Sequence, residues 1–390
     1  MSSLIPTRTA HFILPITFLW LINTAACGQT PGNPNPAQTM PERGYTPQLK
    51  QRPVPQNPGK PEGKIHLNVV VANASGKPVA GIDERDFTLL EDGRPRKIVS
   101  FEPFGGNRRD FDPRVEVILL IDQLNQTFQQ VAFVRSEISR FLLRNNGRLA
   151  QPVSLMVLSD AGLRMQSRPS VDGNALLTVL EQLKGSSGGM NSNKPISEKF
   201  LLSVRELANI AQIEGKRPGR KLLIWMGPGW TVDSPYFSFK AREQELIFDT
   251  IVEISNRLRE AGVVVNSVSG NQPGAGIDGF DQVSDLNAMT TTFLYESFLR
   301  GVSSAKQAQR GDLDLKVFAI HTGGLIQGPG NDVVAQIEEC ITDADIYYRI
   351  SFDPEPAAHP DEYHDLKVEI SRPGLTARTN TGFYNEPAWK

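Results

Sequence analysis

The chain predicts an α/β protein, a doubly wound and mostly parallel sheet joined to a small β-sandwich module. Three observations predict it. Residues 115–121, VEVILLI, are apolar without alternation, as a strand covered by helices on both faces must be. From there, apolar runs of strand length alternate with helical patterns, which is the signature of parallel crossover connections. On either side of that stretch lie short β-branched runs between Gly and Pro turns, too few on each side to build a core alone.

Taken in order, residues 1–28 read as an export signal. Arg8 and His11 precede FILPITFLWLI (12–22), an apolar run of about 11 residues, too short to span a bilayer and right for a signal-peptide core. The following Thr24-Ala25-Ala26-Cys27 resembles a bacterial lipobox, with Thr24 where Leu is usual. That resemblance implies acylation of Cys27, and plain cleavage near Ala26 or Gly28 is the alternative. Residues 29–63 carry prolines at 31, 34, 36, 41, 47, 53, 55, 58 and 61 and read as a disordered, partly polyproline II tether.

Residues 64–106 are assigned to the N-terminal strands of the companion module. IHLNVVV (65–71) is a strand, Ser75-Gly76-Lys77-Pro78 a turn, and FTLLE (87–91) and KIVSF (97–101) flank Asp92-Gly93 as a hairpin. Residues 113–344 are assigned to the α/β domain. Its strands are expected at 115–121, 153–158, 221–226, 263–268 and 324–326. Its helices are expected at 131–143, 175–183, 196–213, 245–258, 314–320 and 333–341, with loops at 185–193 and 270–285. Residues 345–386 are expected to return to strands, IYYRISF (346–352), LKVEI (366–370) and LTART (375–379), joined by turns such as Arg372-Pro373-Gly374. Each half has an apolar face without a partner, so the two are expected to close on each other. Tyr347 and Tyr348 point to opposite faces, one into the core and the other toward solvent or the companion sheet.

Composition narrows the function. A net charge of -2, from 41 basic and 43 acidic residues, argues against electrostatic binding of nucleic acid. Of the two cysteines, Cys27 belongs to the signal region and Cys340 falls in an apolar helical pattern as a core thiol. His11, His66, His321, His359 and His364 form no HxxxH or HExxH pair, so a zinc site is not expected. No GxSxG elbow is present, and Met226-Gly227-Pro228-Gly229-Trp230 lacks both a nucleophile and the phosphate-loop lysine. His321 is expected to end a helix at an αL glycine rather than to act in catalysis.

Ligands of open α/β sheets bind outside the carboxyl ends of the strands, which is where Asp122 ends VEVILLID. Six segments between residues 76 and 384 resemble, in order, the von Willebrand factor type A superfamily, and more closely its bacterial VWFA-related, acidobacterial-type members. They are GKPVAGIDERDFTLLEDGRPRKIVSF, VILLIDQLNQTF, GRKLLIWMGPGW, LKVFAIHTGGLI, DADIYYRISFDP and RPGLTARTNTGFY. The resemblance implies a Mg²⁺ site built from an Asp-x-Ser-x-Ser loop, a Thr from a second loop and an Asp after a later strand. Hard Mg²⁺ takes such oxygen ligands in octahedral array.

Asp122 matches the first Asp, but Leu124 and Gln126 stand at the Ser positions. Ser167 or Ser170 stands at the Thr position. Gly227-Pro228-Gly229 replaces the later acid, with Asp233 a few residues on. Asn125 offers another oxygen, so Asp122, Asn125 and Ser170 are the remaining candidate ligands. The expected outcome is a degenerate site with no cofactor, in which Asp122 caps the next helix or accepts from loop amides. Gln126, Trp230 as an exposed aromatic, and Asp233 are the candidate binding residues.

The function expected is that of a non-catalytic interaction module, exported and held in the cell envelope or secreted. Its partner would be another protein or an envelope component, and its only membrane contact a lipid on Cys27. The alternatives are a Mg²⁺-dependent adhesion domain and an envelope hydrolase.

Overall fold

The computed structural model describes residues 63–387 except 106–114, 167, 184–193, 231, 233–239, 270–294, 329 and 331. The expected export signal, nearly all of the tether, the loops at 185–193 and 270–285, Ser167 and Asp233 therefore lie outside the described residues. All described residues belong to one compact unit, Pro47–Lys390.

Four strands come first: β1 (Ile65–Ala72), β2 (Phe87–Glu91), β3 (Arg94–Arg96) and β4 (Ser100–Phe104). The chain continues through β5 (Glu116–Asp122), α1 (Phe128–Leu142), β6 (Arg148–Ser159), β7 (Gly162–Met165), β8 (Ser170–Asp172), α2 (Gly173–Gln182) and α3 (Ile196–Glu214). Next come β9 (Lys221–Met226), α4 (Ala241–Glu260), β10 (Val263–Val268), α5 (Leu315–His321), β11 (Ile326–Gln327) and α6 (Val333–Thr342). Strands β12 (Tyr347–Phe352), β13 (Glu362–Ile370), β14 (Thr376–Arg378) and β15 (Gly382–Asn385) end the described chain.

One sheet has the order β11-β10-β9-β5-β6-β7, with β8 also on β6. Its strands β11, β10, β9, β5 and β6 are parallel, while β7 and β8 run antiparallel to β6. The unalternating apolar run of β5 is explained by this position. Ile118 and Leu120 pack under α3, α4 and α5, whereas Val117, Leu119 and Ile121 pack under α1, α2 and α6. Every residue of β5 is buried. Short additions β7 and β8 carry too little apolar pattern to stand out in the sequence, and β6 starts five residues before the run that marks it.

Two four-stranded antiparallel sheets complete the molecule, β14-β1-β12-β4 and β15-β13-β2-β3. N- and C-terminal strands alternate in the first, and in the second the C-terminal pair β15-β13 adjoins the N-terminal pair β2-β3. Between the sheets lies one core, with Ile65, Leu67, Val69, Tyr348, Ile350 and Phe352 on one side and Leu89, Leu366, Val368 and Phe383 on the other. The Asp92-Gly93 turn has positive φ at both residues, 49° and 73°, the backbone of a tight two-residue hairpin. The hairpin's second strand corrects the sequence reading. It is Arg94-Pro95-Arg96, and the KIVSF segment leaves for the other sheet, where β4 pairs with β12.

Both tyrosines of β12 are buried, so neither takes the solvent-facing alternative. Tyr348 faces the core between the sheets and donates to Val79 O at 2.9 Å. Tyr347 faces the lower end of the parallel sheet, against Val115, Leu222 and Val264. Phe104 stacks on it at 4.7 Å and the Arg220 guanidinium lies 4.8 Å over its other face. This junction fixes the antiparallel sheets to the amino ends of the parallel strands.

Candidate functional site

The carboxyl end of β5 was the expected site, and there the side chains converge on Asp122. Its side chain faces α3, on the same face of the sheet as Trp225 of β9. Asp122 is fully buried. Its Oδ1 accepts from Leu124 N at 3.1 Å, Asn125 N at 3.0 Å and Asn125 Nδ2 at 3.1 Å. Its Oδ2 accepts from Asn125 Nδ2 at 3.0 Å and from Trp225 Nε1 at 2.9 Å. Burial pushes its pKa up to about 6, and the bonds from Asn125, Trp225 and Leu124 offset only part of that desolvation.

Each neighbour has a local reason to be there. Leu124 is buried in the core below α3, so its amide, not its side chain, faces the carboxylate. The Asn125 amide also donates to Ser203 Oγ of α3 at 3.0 Å, which ties the loop to the helix. Gln126 Nε2 donates to the last carbonyl of each of two adjacent strands, Asp122 O at 2.8 Å and Met226 O at 2.7 Å. Gly227 makes room for it, since a Cβ there would lie 2.3 Å from Gln126 Nε2. Thr127 then opens α1 with a capping box, its N–H donating to Gln130 Oε1 at 2.8 Å.

This donor set does not fit a hard cation. Mg²⁺ needs oxygen lone pairs, and every group aimed at the Asp122 oxygens is an N–H. Asn125 turns its amide nitrogen to the carboxylate, so it is a donor there and not a ligand. Ser170 is corrected as well. It pairs with Val153 in β8, five positions along β6 from Leu158, the residue level with Asp122. That is roughly 16 Å down the sheet. Its hydroxyl accepts from Asp172 N at 3.0 Å instead. Among the described residues, no group of three His, Cys, Asp or Glu side chains is arranged to hold a metal ion.

The candidate binding residues are redistributed too. Trp230 is not an exposed anchor. It is 4 % exposed, packs edge-on to Trp225 at 5.3 Å and donates from Nε1 to Leu313 O at 2.9 Å. Gln126 is 6 % exposed and spent on strand carbonyls, so it is not a surface residue. Exposed apolar groups are found elsewhere, at Phe128 in the first turn of α1 and Ile196 in the first turn of α3. Nothing in the apolar periodicity of either helix distinguishes those two residues.

Two further groups behave structurally. His321 ends α5 before Gly323, which has φ of +78°. Its Nδ1 lies 2.5 Å from Thr381 Oγ1, and burial lowers its pKa to about 4, so it is neutral near pH 7. The cavity beside it, also lined by Asp312, Tyr363 and Tyr384, holds about 20 Å³, room for a water and not for a substrate. Cys340 is buried in the core under α6, and burial raises its thiol well above the ordinary range.

No protein-family profile matches the chain. No curated protein matches it either. Among solved structures it is similar to the human COPII-coat protein Sec24c, at 9% identity and a TM-score of 0.33, over 71% of this chain and 44% of that one. The chain thus matches less than half the length of that protein. Among the described residues, no helix is long and apolar enough to cross a membrane.

Proposed function

We propose that this chain is an exported, non-catalytic protein-interaction module whose α/β domain is of the von Willebrand factor A type, with its metal site replaced by internal hydrogen bonds. One observation carries the reading. The carboxylate at the end of the central strand has both oxygens engaged by amide and indole N–H groups at 2.9–3.1 Å. A cation there would have to displace bonds that already offset the burial of Asp122. The partner is another protein or an envelope component, reached from a lipid on Cys27 or from the secreted form.

Two measurements test this. Calorimetric titration of the mature chain with Mg²⁺ and Mn²⁺ is expected to give no saturable heat. Binding lost in Asp122→Ala would replace the proposal with metal-dependent adhesion. Cross-linking in intact cells, followed by identification of the attached species, is expected to return a specific polypeptide partner. Mass spectrometry of the mature N-terminus checks the anchor, with a diacylated Cys27 expected and a free terminus at or beyond Gly28 refuting it.

A further inference from the structure

The two antiparallel sheets close on each other along most of their length, but not between β13 and β14. These consecutive strands form a splayed hairpin through the turn at Arg372-Pro373-Gly374. Strand β13 joins β2 in one sheet, and β14 joins β1 in the other. Between them lies a groove of about 500 Å³ lined by Leu366, Val368, Ile370, Leu375, Ala377 and Thr379 among others.

Backbone alternation shows what the groove presents. Asp365 O accepts from Asp92 N, and Ser371 N donates to Asp86 O, so the odd-numbered residues of this stretch turn their polar groups to the β2 side. Leu366 N donates the other way, to Thr381 O. Val368 and Ile370 therefore turn their N–H and C=O away from β2. Their would-be neighbour, β15, pairs only as far as Asp365↔Gly382. Across the groove, Val71 O accepts from Val79 N on the far side of β1. Its register partner Ala377 thus turns its N–H and C=O away from β1 and into the gap.

A second observation points to an occupant. Thr379 is 8 % exposed, lines the groove, and its Oγ1 has no hydrogen-bond partner among the described residues. A buried hydroxyl without a partner costs stability, so it is an unusual group to leave at a groove wall. The charges at the rim are already matched within the chain. Lys367 Nζ lies 2.6 Å from Glu369 Oε1, and Arg378 binds Asp343 at 2.9 Å. The remaining lining is apolar side chain, backbone and the uncharged polar groups of Thr376, Thr379, Asn380 and Thr381, complementary to an uncharged segment.

Two other edge strands differ. The outer strands β3 and β4 carry Pro95 and Pro103, residues that blunt an edge against strand addition. The bare stretch of β13 from Leu366 to Ile370 and the strand β14 carry none. We propose that the seam between β13 and β14 is a strand-accepting groove that takes an extended, uncharged segment of a partner polypeptide, with alternate small apolar side chains turned inward. The bare edge of β13 spans roughly 13 Å, enough for four or five extended residues. The groove is built by the antiparallel sheets, so this inference stands apart from the reading of Asp122.

The test uses the full-length chain and a blocked peptide of alternating valine and threonine, about six residues long, read by fluorescence anisotropy. Saturable binding is expected, with a Kd below about 1 mM. Two analogues, N-methylated at one or the other set of alternate amides, separate backbone pairing from apolar contact. One of them is expected to bind about tenfold more weakly. Thr379→Val is expected to fold like the parent, since its hydroxyl bonds nothing, and to bind the peptide about threefold more weakly. Val368→Pro removes an edge donor and is expected to bind more weakly still. If Val368→Pro does not fold, Thr379→Val and the methylated peptides still decide. Absence of saturable binding, equal binding of both methylated analogues, or unchanged binding by Thr379→Val overturns the proposal.

Discussion

At the amino ends of the parallel strands, buried charges meet other charges or a turn's carbonyls, while at the carboxyl end Asp122 meets only uncharged N–H groups. At the lower end Arg217 joins Glu116 and Glu214, with Nη1 at 3.1 Å from Glu116 Oε1 and 3.2 Å from Glu214 Oε2. Ser154 Oγ adds a bond to Glu116 at 2.5 Å. Lys221, 1 % exposed, donates to Glu214 O at 2.8 Å, Ala261 O at 3.1 Å and Arg217 O. Arg378 and Arg220 meet Asp343 where the antiparallel sheets attach. The difference teaches that buried ionic groups are spent here on joining parts of the molecule. Among the described residues, the buried carboxylate at the end where open α/β sheets bind ligands is held by neutral donors alone.

The largest effect should come from the lower end. Lys221→Met removes a donor from three carbonyl groups, of which Glu214 O keeps Arg217 N, and deletes a buried ammonium, so chemical denaturation should show a loss of about 3–5 kcal/mol. A loss under about 1 kcal/mol would mean that water replaces the ammonium, and the contrast between the two ends would weaken.

At the upper end, Gln126→Ala frees Asp122 O and Met226 O and should cost about 2 kcal/mol. Unlike Lys221→Met, it should also leave Gly227→Ala better tolerated than in the parent, because the side chain that Cβ would strike is gone. Additive unfolding energies for the pair would show that Gln126 does not set the requirement for glycine.

Asp122 supplies a pH test. Its folded pKa of about 6 lies above the ordinary carboxylate value of 3.8, so the folded state holds a proton that the unfolded state releases between those values. The parent should therefore gain stability on acidification through pH 6, and Asp122→Asn should lack that gain. Between pH 6 and 4.5 the difference between the two should widen in favour of the parent by about 1.5 kcal/mol. A constant difference would mean that the carboxylate stays ionised and is better stabilised by its N–H partners than burial suggests. Smallest of all, Thr127→Ala removes the α1 cap and should cost about 1 kcal/mol in thermal unfolding without moving that pH dependence.

Much of the parallel sheet was legible because burial on both faces writes itself into composition. Strands β9 and β10 fall where their apolar runs placed them. Position within the other sheets was less legible. The hairpin's second strand was expected at 97–101, whereas the strand is Arg94–Arg96, where an edge position tolerates Pro95 because its N–H is not needed. At the site, Asp122 could be read as accepting from loop amides, and Leu124 N and Asn125 N do donate to it. The roles of Gln126 and Trp230 could not be read. Each sits beside a turn, where side chains usually face water, and only folding brings Gln126 under the end of β9 and Trp230 onto Trp225.

By itself the sequence determined the longer strands and the helices, the burial of β5, and the poverty of oxygen ligands after Asp122. These follow from local pattern and residue chemistry, which do not depend on distant partners. Tertiary structure alone decided that Trp225, a hundred residues away, donates to Asp122. It also decided that both tyrosines of β12 are buried, and that β13 and β14 part to leave an unfilled edge. Each of these depends on which strands become neighbours, a choice made by the burial of whole faces and not by any residue's local preference.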